Sequence, residues 1–182
     1  TEINAISSQA IVMEVETGEI KAMVGKGNSQ ASGLVRAATM LAALESGRVK
    51  LSDPVDVGEG VYMVQNKVLK DHNWHRGGYG EINALQTLMA NSNIGNYLLT
   101  KRAFEKDQAY FDMLDQFSYG QPANVFGLDS LKPAFLYTPK DNSWSKSDLA
   151  WSCIGYNQHI SPIQMLTFYN AIANDGKMVK PM

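Results

Sequence analysis

Leu34-Val-Arg-Ala-Ala-Thr-Met-Leu-Ala-Ala-Leu44 is the stretch on which the fold turns. Most of its residues favour a helix, nearly every side of that helix is apolar, and Ser46-Gly47 ends it. A helix that is apolar all round belongs in the interior of a domain. This predicts a central buried helix over about 33–46. Its sole charge is Arg36, near the N-terminal end, where the helix macrodipole disfavours a cation. Such a charge is either the relic of a site, now pairing a carboxylate, or an ordinary helix-start charge.

Upstream, Ala10-Ile-Val-Met-Glu-Val-Glu16 and Glu19-Ile-Lys-Ala-Met-Val24 are two strand-like runs around Thr17-Gly18, predicting a hairpin over 9–24. Gly25 to Ser32 is small and polar and reads as a loop. Downstream, Asp53 to Gly80, with six glycines or prolines, reads as loop-rich. A helical region over about 82–118 follows. Asn83 caps its first helix with Gln86 three residues on, and Leu85, Leu88 and Met89 form an apolar stripe. A short helix covers Ile94 to Arg102, with Asn91-Ser92-Asn93 between the two. Another runs from about Asp107 to Phe117 on Tyr110, Phe111 and Leu114.

The closing helix, about 161–175, is the best punctuated. Ser161-Pro-Ile-Gln164 supplies a cap, a proline in the first turn and the reciprocal glutamine, and Gly176 ends it. Met178 to Pro181 reads as the start of a strand. Tyr110, Phe111, Phe117, Phe168 and Tyr169 lie at helical spacing and read as core.

The chain has 182 residues and a net charge of −2, with 45% hydrophobic and 19% charged residues. No run of Lys and Arg forms the basic stripe that phosphate backbones require, which excludes nucleic acid. No stretch approaches the roughly 20 apolar residues of a membrane span. Cys153 stands alone, so there is no internal disulfide and no Cys-based zinc site, and it reads as a small buried apolar residue. The chain opens at Thr1 and stops at Lys180-Pro-Met182, and both ends read as cut from a longer protein.

Two patterns invite chemistry and receive ordinary readings. Ser143-Trp-Ser-Lys146 is a literal SxxK, but 14 serines and 12 lysines make roughly one such match expected by chance. It follows Pro139 and reads as a loop. His72 and His75 stand three apart in a glycine-rich loop beside Asp71, rather than at the i, i+4 spacing of a zinc helix. They read as loop packing anchored by Trp74, and neither a metal nor another cofactor is expected.

Several segments, in order, resemble the penicillin-binding protein transpeptidase domain. Ala10 to Val24 looks like that family's opening hairpin, and Leu41-Ala-Ala-Leu-Glu-Ser-Gly47 like the end of its central helix. Ser92-Asn-Ile-Gly95 resembles its second motif region. Ile154-Gly-Tyr156, His159-Ile-Ser-Pro-Ile-Gln164 and Asn170 to Pro181 resemble its closing helix and the turn after it. The resemblance implies a mixed α/β fold with helices packed on an antiparallel sheet, here a partial domain over 1–182 that stops before the later strands.

The resemblance also says where to look for chemistry. The family's SxxK serine attacks a D-Ala-D-Ala carbonyl, and the lysine one turn on takes its proton, since i and i+3 share a helix face. An SxN motif and a KTG strand hold the substrate. Counting back from Leu44-Glu-Ser-Gly47 puts the serine position at Gly33 and the lysine position at Arg36. Glycine carries no nucleophile, and arginine stays protonated. A one-residue slip offers Ser32 as a fallback nucleophile, but Val35 then takes the lysine's place. Asn91-Ser92-Asn93 keeps the asparagine of SxN at Asn93 and has Asn91 where the family has serine. No KTG follows the closing helix.

By resemblance, the partners are a peptidoglycan stem peptide or a β-lactam, together with other envelope proteins. The setting is the periplasmic side of the inner membrane, in cell-wall synthesis or division, with an anchor outside this chain. The expected role is either a transpeptidase domain degenerate in its motifs, a pseudoenzyme, or a non-catalytic envelope scaffold.

Overall fold

The computed structural model describes residues 8–26, 32–121 and 134–182. In chain order the elements are β1 (Ser8–Met13), β2 (Ile20–Lys26), α1 (Val35–Glu45), β3 (Pro54–Asp56), β4 (Val61–Val64), β5 (Lys67–Lys70), β6 (Glu81–Asn83), α2 (Ala84–Ala90), α3 (Asn93–Ala103), α4 (Asp107–Gln116), β7 (Phe135–Leu136), α5 (Asp148–Ser152), β8 (Gln158–His159) and α6 (Pro162–Ala173). The strands pair antiparallel in four two-stranded sheets: β1 with β2, β3 with β6, β4 with β5, and β7 with β8. This is a mixed α/β fold. The expected sheet is present among the described residues only as these short pairs. The chain divides into two compact units.

The larger unit, Ser32–Gln116 with Tyr137–Asn157, is built on α1. Val35, Ala38, Ala42 and Ala43 are buried along it, and their small side chains let α2, α3 and α4 approach closely. Ile94, Leu99, Tyr110, Leu114 and Leu149 complete the core. One buried polar knot is satisfied inside it. Thr39 Oγ1 donates to the Cys153 carbonyl at 2.9 Å and lies 2.9 Å from Tyr110 Oη. The buried helix expected from Leu34 onward is this one, entered through a 3-10 turn at Ser32–Leu34.

The Asn83–Gln86 capping box forms as expected, with bonds of 2.8 and 2.9 Å. The stripe expected after it does not face the core. Leu85, Leu88 and Met89 are exposed, and Ala84 and Thr87 are buried instead. Sterics explain the choice, because a Cβ placed on Gly95 of α3 would lie 2.6 Å from Thr87 Oγ1. The two helices meet too closely for leucine to stand between them.

The smaller unit gathers residues 8–26, 117–121, 134–136 and 158–182. The reciprocal box of Ser161 and Gln164 starts α6, with Pro162 in its first turn. Gln164 also donates to the Gly120 and Gln121 carbonyls, and Asn170 Nδ2 donates to the Val15 carbonyl at 2.9 Å. Phe168 meets Tyr119 edge to face at 5.3 Å. Met178 to Pro181, expected to begin a strand, forms none, although Met182 bonds to the hairpin. Met182 N donates to Gly18 O, and Ile20 N donates to Met182 O. Gly18 has φ +78°, and a Cβ there would lie 2.3 Å from the Lys180 carbonyl oxygen, so only glycine fits this turn.

Candidate functional site

At the head of α1, Arg36 leaves the helix half-buried and turns its guanidinium towards the α2–α3 junction. Nη1 donates to Asn91 Oδ1 at 2.5 Å, and Nη2 donates to Asn93 Oδ1. Neither expected explanation of this charge is quite met. It is no idle helix-start charge, yet its partners are two neutral amides, and among the described residues it forms no salt bridge with a carboxylate. Burial lowers the Arg36 pKa, with Cys153, Asp71 and Tyr156 opposing. A guanidinium nonetheless keeps its proton in proteins and cannot act as a base.

The junction is shaped by local rules. Asn91 ends α2 in the left-handed conformation, φ +57°, which asparagine tolerates better than most residues. Ser92 then caps α3, its Oγ accepting from Gly95 N at 2.9 Å. The same hydroxyl donates to Asp71 Oδ2 at 2.7 Å, and Asp71 Oδ1 accepts from Ile94 N at 3.0 Å. Asp71 is 1% exposed, and a carboxylate at a helix N-terminus complements both the unpaired N–H groups and the macrodipole. Asn93 Nδ2 donates to the Lys70 carbonyl at 2.6 Å. The end of β5, the start of α3 and the head of α1 are thereby one hydrogen-bonded cluster.

Beside it opens a cleft of about 420 Å³, lined by Leu69, Lys70, Asn93, Trp151, Ile154, Tyr156 and Asn157. Its lining includes two aromatic side chains, Trp151 and Tyr156, and two amides, Asn93 and Asn157. The Lys70 ammonium rests 3.7 Å from the centroid of the Trp74 ring.

The expected site residues Gly33, Arg36, Asn91 and Asn93 are therefore brought together. Ser92 is not part of the exposed surface. It is fully buried and serves as a cap, its hydroxyl held between Gly95 N and the Asp71 carboxylate. Ser32 opens the 3-10 turn, but its side chain lies outside the described residues, as does the loop segment 27–31. Gly33 leaves no hydroxyl at its position, and a Cβ placed there would lie 2.6 Å from Arg36 Nη1. The literal SxxK at Ser143 to Lys146 is an exposed loop before α5, with Ser143 Oγ accepting from Tyr137 Oη at 2.8 Å. His72 packs on Tyr79 and His75 on Trp74.

Lys70, Asp71, Trp151 and Asn157 had no signal in the sequence that tied them to this place. Asp71 sat beside two histidines and invited a metal reading, but its partners are 21 and 23 residues away.

The sequence matches the family described as the penicillin binding protein transpeptidase domain over residues 9–182. It is 26% identical over 195 residues to penicillin-binding protein PbpB of Mycolicibacterium smegmatis, an alignment covering 94% of this chain and 29% of the relative. It is 40% identical over 90 residues to PbpB of Mycobacterium tuberculosis, covering 50% of this chain and 12% of that protein. The chain thus spans less than a third of either curated relative. Its fold is similar to that of the apo TP domain of Burkholderia pseudomallei penicillin-binding protein 3, with a TM-score of 0.83 and 24% identity over 96% of this chain and 52% of that one. A peptidoglycan glycosyltransferase from Burkholderia ambifaria superposes equally well, at 0.84 and 24% identity over 97% and 56%.

Proposed function

The chain belongs to the penicillin-binding protein transpeptidase domain family, and from that premise we propose that it is a peptidoglycan-directed domain of cell-wall synthesis that binds stem peptide or β-lactam reversibly without forming an acyl-enzyme at the head of α1. Its place is the periplasmic face of the cell envelope. The observation that supports this reading is the Gly33–Arg36 pair. Covalent catalysis needs an activated nucleophile and a base within hydrogen-bond reach of it. Here the helix head carries no nucleophile at 33, and the cation at 36 is committed to Asn91 and Asn93. Among the described residues, no helix is long and apolar enough to cross a membrane, so attachment to the envelope would come from outside this segment.

Incubation with a fluorescent β-lactam, followed by intact-mass measurement, tests the reading. The expected mass is unchanged, while titration with an acylated D-Ala-D-Ala peptide shifts the NMR signals of Asn93, Lys70 and Trp151. A β-lactam ester on any serine of this chain would refute the non-acylating assignment. If the peptide leaves those signals unmoved, a scaffold role without ligand replaces the binding role.

A further inference from the structure

We infer that Gly33 and Arg36 are a reciprocal plug: the guanidinium fills the volume into which any side chain at 33 would project, and from there acts as the positioning residue that sets Asn91 and Asn93. This deepens the proposed reading of the helix head as non-acylating. Its test uses no β-lactam or peptide, so each can fail without the other.

Three observations carry it. A Cβ at Gly33 would stand 2.6 Å from Arg36 Nη1, and among the described residues other than its chain neighbours no second residue comes within 3.5 Å of it. Gly33 does not have a left-handed φ, so its backbone would accept alanine without strain. Among the described residues, the clash is thus the one local objection to a side chain. An arginine tip normally moves aside at little cost, but this one is held. Nη1 and Nη2 are bound to amide oxygens, and Nε is buried with no acceptor among the described residues. Displacing the tip breaks charge-assisted bonds and leaves donors in a partly dry site.

The experiment is a thermal-unfolding cycle over the native chain, Gly33→Ala, Arg36→Met and the double variant. Side-chain amide NMR of Asn91 and Asn93 is recorded on each, and Arg36→Lys stands in if Arg36→Met does not fold. Where Arg36 is present, Gly33→Ala should lower the Tm by about 3–8 °C through the displaced hydrogen bonds. Where Arg36 is replaced, the same change should raise the Tm by about 1–4 °C, the ordinary gain of alanine over glycine at an unstrained position. Gly33→Ala and Arg36→Met should move the same two amide signals, which a purely steric cost elsewhere would leave in place. A rise in Tm for Gly33→Ala in the native background, or unmoved Asn91 and Asn93 signals, would overturn the plug.

Discussion

Replacing Asp71 by asparagine should weaken the larger unit far more than the loss of one charge from a loop suggests. Both carboxylate oxygens are used, with Oδ2 accepting from Ser92 Oγ at 2.7 Å and Oδ1 from Ile94 N at 3.0 Å. Asparagine can keep the second bond. Its Nδ2 would then face a hydroxyl that already accepts from Gly95 N, and the Ser92 proton would lose its acceptor inside a fully buried site. A hydrogen bond to a charged group contributes about 1.5–3 kcal/mol, and an anion at a helix N-terminus about 0.3–2 kcal/mol more. The expected cost is about 2–5 kcal/mol, or a Tm lower by about 4–20 °C for a chain of this size. Circular dichroism melts of Asp71→Asn, Ser92→Ala and the double variant measure it. Because the two residues share a bond, the double variant should cost clearly less than the sum. Glu105→Gln, which touches only the exposed ion pair with Arg48, is the control and should change stability by about 1 kcal/mol or less. A Tm within 2 °C of native for Asp71→Asn, or strict additivity with Ser92→Ala, would refute the argument (both thresholds set by the roughly 0.3–0.5 kcal/mol scatter of additive pairs).

Further outcomes follow from Cys153, which is buried, and from Ser161, which is half-buried. Burial pushes the Cys153 thiol up to about 12 from its ordinary 9.0, so iodoacetamide at pH 8.5 should modify the folded protein slowly and the urea-unfolded protein fast, since only thiolate reacts. The same shift means that the unfolded thiol ionises first as pH rises; this contribution to stability is intact below about 9 and is lost between about 9 and about 12. The urea midpoints of native protein and Cys153→Ala should therefore diverge in slope across that window, and rapid labelling of the native state would contradict it. Ser161→Ala removes the acceptor for Gln164 N and should cost about 0.5–2 kcal/mol in chemical denaturation, while Ser161→Asp restores most of it.

Much of the fold was legible because its causes are local. The boxes at Asn83–Gln86 and Ser161–Gln164 close over three residues, and both form. The apolar run from Leu34 needed no partner to declare itself interior, because a helix without a polar side has no face to offer water. The α2 stripe shows where local reasoning stops. Leu85, Leu88 and Met89 have helical spacing and lie exposed, since their spacing could not reveal that the opposite side carries Thr87 against Gly95.

The candidate site divides along the same line. Its key absences were in the sequence, because glycine has no side-chain oxygen and the guanidinium of arginine no basic lone pair wherever they stand. What Arg36 does instead was decided only by the tertiary structure. Its partners are 55 and 57 residues away, and Asp71 reaches Ser92 across 21. Residue chemistry and short-range hydrogen bonding are properties of the chain itself. Which distant polar groups meet depends on how α1, α3 and β5 pack, and no periodicity encodes that geometry.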